Sequence, residues 1–412
     1  MHTILHPAGS NPDIIIIGGG ASGLAAACAI ARRGIPAILI EKNDKLGKKL
    51  LATGNGRCNV WNTGEPVYFG DDGFAEQVLQ LTGASGVRAF FAGLGLVTRQ
   101  EEGGRVYPAS NRADTVLRVM TQALERSSVA VRLNETVTQV TPDNGLWRVR
   151  LASGGTYSAP HVIFSGGGMA APALGGTASM YDLLRPLGFS VVPPFPALCA
   201  VKTDKKKLKG LTGSRFMCRL TLMDGTLPIA SAQGEALVAQ DGISGVCAMQ
   251  LGRDAGALMM KGISPVLNID FSPLLGLTDS RMERKTPELP DAEPVLRWLN
   301  ERAGFLSPQD LLTGALPRPL DTQLLKNTPA DTAQALVSFR LPVIGVRGFD
   351  GAQVTAGGVA TRKIDPKTMQ SHDHPGLYLT GELLNVDGDT GGWNLLFAFA
   401  TGILAGESAG AV

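Results

Sequence analysis

The chain of 412 residues predicts an α/β fold: a domain built from both chain ends, interrupted by a β-rich insert and a small helical subdomain. Three observations predict it. Ile14–Ile17 is a β-branched run that enters glycines and then an Ala-rich stretch, the pattern of a buried parallel strand feeding a helix. The style changes at Val191-Val192-Pro193-Pro194-Phe195-Pro196, where short alternating strand-like pieces begin. After Val354 the first style returns, with Leu377–Thr380 reading as a strand and Asn394–Gly406 as an apolar helix. Domains of about 100–200 residues set an expectation of two to three. The expected segments are 1–190 and 346–412 for the main domain, 191–280 for the β insert and 281–345 for the helical one.

In order, Ser22–Arg33 reads as a helix closing at Gly34 in the position after the cap. Ile35–Ile40 is a second buried strand ending in Glu41, followed by a loop dense in Gly and Asn from Lys42 to Gly70. Phe74–Leu94 and Ala113–Glu125 read as helices. Val129–Val140 and Leu146–Leu151 alternate as strands around the turn Pro142-Asp143-Asn144-Gly145. His161–Phe164 is a short apolar strand entering Gly166-Gly167-Gly168. Phe216–Leu222, Leu227–Ser231, Ala236–Ala239 and Val266–Phe271 are the strands of the insert. Pro294–Ala303, Pro308–Gly314 and Pro329–Phe339 are its helices.

Composition narrows the class. The chain is 44% hydrophobic and 18% charged, against roughly 25% charged in an average soluble protein, so a disordered chain is excluded. A net charge of +2 supplies no global basic field, so neither a nucleic acid nor a membrane is an expected partner. The cysteines at 28, 58, 199, 218 and 247 form no CxxC pair, which argues against a disulfide framework and a structural zinc. Met1 to Pro12 is polar without a basic leader region, and the apolar stretch Asp13–Ile17 is too short for a span. A soluble cytoplasmic protein is expected.

Gly18-Gly19-Gly20-Ala21-Ser22-Gly23 fits GxGxxG between a strand and a helix, with Glu41 closing the next strand about 20 residues on. This spacing predicts a Rossmann-like nucleotide site. Gly18 would allow the turn, Gly20 would admit a pyrophosphate at the helix start beside Ala21 and Ser22, and Gly23 would let helix and strand pack. Glu41, followed by Lys42, would accept ribose hydroxyls and repel a 2′-phosphate. FAD is favoured over NAD by the loop Ala52-Thr53-Gly54-Asn55-Gly56-Arg57-Cys58-Asn59, preceded by Lys48-Lys49-Leu50, which can wrap the flavin half of a long dinucleotide. The run Gly381-Glu382-Leu383-Leu384-Asn385-Val386-Asp387-Gly388-Asp389-Thr390-Gly391-Gly392-Trp393-Asn394 supplies the other half, with an acid for ribityl hydroxyls and glycines opening a helix through Leu395.

The chain resembles the bacterial BaiN-like flavoproteins, aminoacetone-oxidase-like FAD-binding enzymes among the two-dinucleotide-binding-domain flavoproteins. Matching stretches are Asp13–Glu41, Gly47–Asn59, Gly104–Pro108, Gly234-Glu235 with Gly242–Gly245, Val354–Val359 and Gly381–Gly406. The resemblance implies an FAD domain interrupted by a barrel-like insert and a helical segment. The candidate cofactor set also includes Val137, Ser165, Gly166 and Gly167. Departures from the family are Ala239-Gln240-Asp241, Val246, Ser165, Asn385 and Trp393.

Ser165–Ala171 loosely fits GxGxxA, but Pro172 and Gly175-Gly176 spoil the helix a second nucleotide site requires. Cys58 reads as a small buried hydrophobe rather than a redox thiol. His161 reads as a packed residue, His372 and His374 have no ligand-spaced partners, and Lys205-Lys206-Lys207 with Lys209 reads as a solvated loop; no metal is expected. Arg105 and Tyr107 either line the site or form a structural turn. No catalytic side chain is assigned. The expected activity is hydride transfer through flavin N5 to or from a small organic substrate bound between the FAD domain and the insert, as an NAD(P)H-linked reductase. An amine oxidase using O₂ and a non-catalytic redox sensor are the alternatives; the oligomeric state is not legible.

Overall fold

The computed structural model describes residues 12–278, 283–285 and 287–411. The polar stretch 1–11 and the expected boundary at 280/281 lie outside the described residues. Two compact units emerge: one runs to Pro194 and resumes at Val354, the other is Phe195–Gln353.

The first unit is organised on a five-stranded parallel sheet. Its order is Leu377–Leu379, His161–Phe164, Ile14–Ile17, Ala37–Ile40, Val129–Arg132. Ile14 pairs with both Ala37 and His161, so the isoleucine run is the central strand and is buried on both faces. That position requires four consecutive apolar residues rather than an alternation. The helix Ala21–Ala31 is buried along most of its length because the C-terminal helix Trp393–Ala409 packs on it. Small residues permit the approach: a Cβ on Gly402 would collide with the Ser22 carbonyl, and one on Gly406 would lie 2.5 Å from the Ala26 carbonyl. The ends of the chain thus share one core.

Two elements of this unit differ from expectation. The stretch 74–94 is two helices, Asp72–Thr82 and Ala84–Gly93, broken at Gly83, whose extended backbone (ψ −159°) ends one and starts the next. The stretch 129–140 is also divided. Val129–Arg132 joins the parallel sheet, while Val137–Asp143 pairs with Leu146–Leu151 in a separate antiparallel sheet. The hairpin between them turns at Asn144 (φ 52°) and Gly145 (φ 81°), the two positive angles that a two-residue primed turn demands.

In the second unit, six antiparallel strands close on themselves: Arg215–Asp224, Val266–Asp270, Phe339–Val346, Val201–Thr203, Gly242–Ser244 and Leu227–Ala239, which pairs back to the first. The barrel is real, and its longest strand fuses two expected pieces. Phe339–Val346 replaces the expected end of a helix, and Pro308–Gly314 contains only the 3₁₀ turn Pro308–Asp310. The helices Glu293–Ala303 and Pro329–Val337 share the barrel's core through Val295, Leu299, Leu336 and Val337.

Candidate dinucleotide site

The glycines of the first loop divide their work. Gly18 (φ 104°) could carry no Cβ, which would lie 2.6 Å from the Ser165 carbonyl oxygen, and a Cβ on Gly23 would collide with the Gly18 carbonyl. These two pack the strand, the helix and the loop after His161–Phe164. Around Gly20 nothing lies within 4 Å of the Cβ position. Gly20 is also the N-cap of Ala21–Ala31 and no side chain caps it, so the first-turn amides face that space.

Glu41 lies beside this loop and is buried. Its Oε2 accepts the Gly19 amide at 2.7 Å, and its Oε1 accepts both the Asn43 amide (2.8 Å) and Asn43 Nδ2 (2.6 Å). A carboxylate has about four acceptor positions, so three protein donors leave room for one more. Burial lowers the Lys42 ammonium and Glu41 opposes the effect. The amides of Asn134 and Glu135 donate to the carbonyls of Asn43 and Glu41, which places the stretch leading to the buried Val137 along this edge.

The second wall is the loop after the helix Lys48–Ala52. Gly54, Asn55, Gly56 and Cys58 all adopt positive φ, at 56°, 55°, 83° and 58°. Asn55 and Cys58 are held in a region that side chains disfavour. Cys58 is fully buried, and burial pushes its thiol up to about 12, so it packs as an apolar residue. Arg57 is engaged by the protein: Nη2 lies 2.6 Å from Glu101 Oε1, Nε donates to Asn111 Oδ1 at 2.6 Å, and the guanidinium stacks 4.0 Å from the Tyr107 ring centre. Arg105 and Tyr107 belong to the strand Arg105–Pro108, which this arginine holds to the loop. Asn59 Oδ1 accepts the Val106 amide at 3.2 Å.

The third wall is the stretch 380–395. The Gly381 amide donates to Thr401 Oγ1 at 3.0 Å, and Ser165 and Thr380 hydroxyls pair at 2.8 Å. Gly391 (φ 110°) and Gly392 (φ 105°) open the helix Trp393–Ala409. Asn62 Nδ2 donates to the Gly391 carbonyl at 2.9 Å and the Tyr68 hydroxyl to the Trp393 carbonyl at 2.7 Å, so the second and third walls are joined. Asn394 is occupied locally, with Oδ1 accepting the Gly388 amide at 2.8 Å and Nδ2 donating to the Gly388 carbonyl at 2.7 Å. Asp387 and Trp393 are buried and Leu395 packs partly against the core.

Lys49 and Glu382, each a sequence candidate, bond to one another, and Glu382 Oε1 also accepts the Thr355 amide at 3.0 Å. In the loop after His161–Phe164, a Cβ on Gly166 would collide with Met180, whereas Gly167 (φ 71°) has nothing within 4 Å of its Cβ position. No continuous helix follows that loop, only the 3₁₀ turn Pro172–Leu174 and the short helix Ser179–Leu184. Sequence reasoning missed Asn43, Asn62, Tyr68 and Thr355. A signal existed for Asn43, a short amide two residues beyond a strand-end acid, where it folds back on that acid. Among the described residues no helix is long and apolar enough to cross a membrane.

A family model described as the HI0933-like protein Rossmann domain matches residues 12–408. The chain belongs to this family of FAD-dependent oxidoreductases. A 3-dehydro-bile acid Δ(4,6)-reductase of Clostridium scindens is 35% identical over 96% of the chain and 98% of its own length. A ribosomal RNA dihydrouridine synthase of Escherichia coli is 26% identical over 94% of the chain and 96% of its own length. Among solved structures, the 3-ketosteroid Δ4-(5α)-dehydrogenase of Rhodococcus jostii RHA1 superposes with a TM-score of 0.50 at 14% identity, covering 100% of this chain and 99% of that one, which supports the fold alone. Asn385, where the resemblance leads to the expectation of an acid, has a partner that suits an amide. Asn385 Nδ2 donates to Asp71 Oδ1 at 2.9 Å, where an acid would meet a second carboxylate. Asp71 Oδ2 already accepts the Thr361 amide and hydroxyl.

Proposed function

We propose that the chain is an NAD(P)H-linked reductase that uses FAD to saturate a carbon–carbon double bond conjugated to a carbonyl in a small organic substrate. One observation carries the cofactor assignment: Gly20 alone of the fingerprint glycines faces open space, between packed neighbours and at an uncapped helix start. That is the place a diphosphate needs backbone amides and no side chain. Glu41, with one acceptor position left, suits a ribose hydroxyl. Lys49 and Glu382 would lie along the ribityl side, and the first turn of Trp393–Ala409 would receive the ring system, where helix amides favour negative charge. Bound FAD would supply the hydride chemistry. The protein's part is to hold the ring between the 54–59 loop and Gly391-Gly392 and to exclude water with Trp61, Tyr68 and Trp393, all buried.

The substrate class rests on the relatives. A 3-dehydro Δ(4,6) steroid acid and uridine both carry a ring double bond conjugated to a carbonyl, and the named reactions reduce it. The near-neutral charge balance of this chain favours the small molecule over RNA.

The test is anaerobic. The purified protein should be yellow, release FAD on denaturation, bleach on addition of NADH or NADPH, and recolour with a conjugated steroid ketone. Bleaching by an amine but by neither nucleotide, with recolouring by O₂, would support the amine-oxidase alternative, and turnover with none of these would support the redox sensor. A protein that stays colourless after incubation with FAD would overturn the reading.

A further inference from the structure

Thr355 is fully buried on the strand Val354–Val359, where the first unit resumes after the insert. Its Oγ1 accepts two consecutive amides, Met169 at 2.8 Å and Ala170 at 2.9 Å. Its own amide donates to Glu382 Oε1, the carboxylate that holds Lys49. A Cβ on the intervening Gly168 would lie 2.5 Å from this hydroxyl oxygen and 3.0 Å from Glu382 Oε1. The loop backbone is therefore drawn onto one threonine side chain, and Ala171 beyond it is held at φ 56°, an angle that alanine does not choose unaided.

Elsewhere the loop is held by the Ser165–Thr380 hydroxyl pair, by Met180 against Gly166 and by the Thr177 amide on the Gly168 carbonyl. Gly167 is open and left-handed, and only a 3₁₀ turn follows directly, the short helix Ser179–Leu184 coming later. A glycine-rich segment without a helix loses much conformational entropy when ordered. Two amides on one buried acceptor add a counterweight centred on residues 169 and 170.

We propose that Thr355 is a positioning residue for the cofactor: it clamps residues 168–170 so that Gly166 and Gly167 stand ready against bound FAD, and it couples that loop to the Lys49–Glu382 pair. This rests on the FAD reading above.

The test compares Thr355→Val, nearly isosteric but without the acceptor, with Thr355→Ser, which keeps the hydroxyl, in the full chain. Amide hydrogen exchange over 168–171 is followed in FAD-free and FAD-loaded protein, and FAD affinity by titration of the FAD-free form. Expected are faster exchange in Thr355→Val with or without FAD and a Kd raised about tenfold, from the loss of two ordinary hydrogen bonds. Thr355→Ser should remain within about twofold of the native Kd. Unchanged exchange in Thr355→Val overturns the clamp, and faster exchange with native FAD affinity overturns its service to the cofactor. If Thr355→Val does not fold, Thr355→Ala against Thr355→Ser decides the same question, because both lose the methyl and only one keeps the acceptor. Failure of the FAD reading itself would be visible earlier, as a native protein that binds no FAD.

Discussion

Lys49 Nζ lies 2.6 Å from Glu382 Oε2, an ion pair between residues 333 positions apart in the chain. Both side chains are largely covered, and the carboxylate is shared with the Thr355 amide. The pair joins the segment after the second strand to the segment that opens the C-terminal half of the site. Its worth lies in that join, since an isolated surface pair contributes little.

Lys49→Met keeps most of the stem and removes the charge, leaving Glu382 with the Thr355 amide alone. FAD affinity should fall about three- to tenfold, in line with a charge-assisted hydrogen bond worth roughly 1 kcal/mol net in a partly covered setting. Titration of the FAD-free variant measures it, and native affinity would show that the pair does not serve the cofactor.

Glu41→Ala should weaken FAD roughly ten- to a hundredfold, the loss of one charge-assisted bond of about 1.5–3 kcal/mol. The variant also strips acceptors from the Gly19 amide and from Asn43, so thermal unfolding of the FAD-free protein should move down as well. Glu41→Gln separates the effects, because its carbonyl can still accept the Gly19 amide. An unchanged Kd in Glu41→Ala would mean the acid does not reach the ribose.

Gly392→Val tests the flavin-side join. The new Cβ would lie 2.8 Å from Asn59 Oδ1 and 2.9 Å from the Trp61 carbonyl, on a backbone at φ 105°. Overpacking of this kind costs about 1–3 kcal/mol, and the left-handed angle adds to it. Lower melting temperature, weaker FAD binding and a lower flavin reduction potential are expected together; a native potential with weakened binding would place the ring away from this helix end.

Asp270 gives the inserted unit a pH dependence of known sign. Burial raises its carboxyl above the ordinary 3.8, while the Ser272 amide and hydroxyl and the Arg219 charge act the other way. The folded form therefore holds the proton more tightly than the unfolded chain. This contribution is fully favourable below the ordinary carboxylate range and is lost as pH rises through the raised value. Asp270→Asn should unfold at a higher temperature than the native chain at pH 8, with the gap closing on acidification. A variant less stable at pH 8 would show that the ionised form is required.

What was legible in the sequence was local. The isoleucine run, the glycine fingerprint and Glu41 lie within thirty residues, and their spacing alone sets strand, turn, helix and strand in order. The return of the same style at Leu377 made the two-ended architecture readable. Phe339–Val346 was not readable, because Pro342 sits inside it and argues against a central strand. Its place between two barrel strands follows from the closure of the sheet. The occupancy of candidate groups was equally hidden. Nothing near Arg57 in sequence shows that Glu101 and Asn111 will take its guanidinium, and nothing near Thr355 points to the amides of Met169 and Ala170.

The seam of Gly402 and Gly406 against Ser22, Ala25, Ala26 and Ala29 carries a consequence for biosynthesis. A ribosome makes the inner helix early and its cover late, after the whole of Phe195–Gln353. During that interval the nascent first unit presents an apolar helix face with no mate, and the barrel must reach its own shape while its host is half built. Translation that stops within the insert would release a chain whose exposed seam marks it for chaperones and proteases.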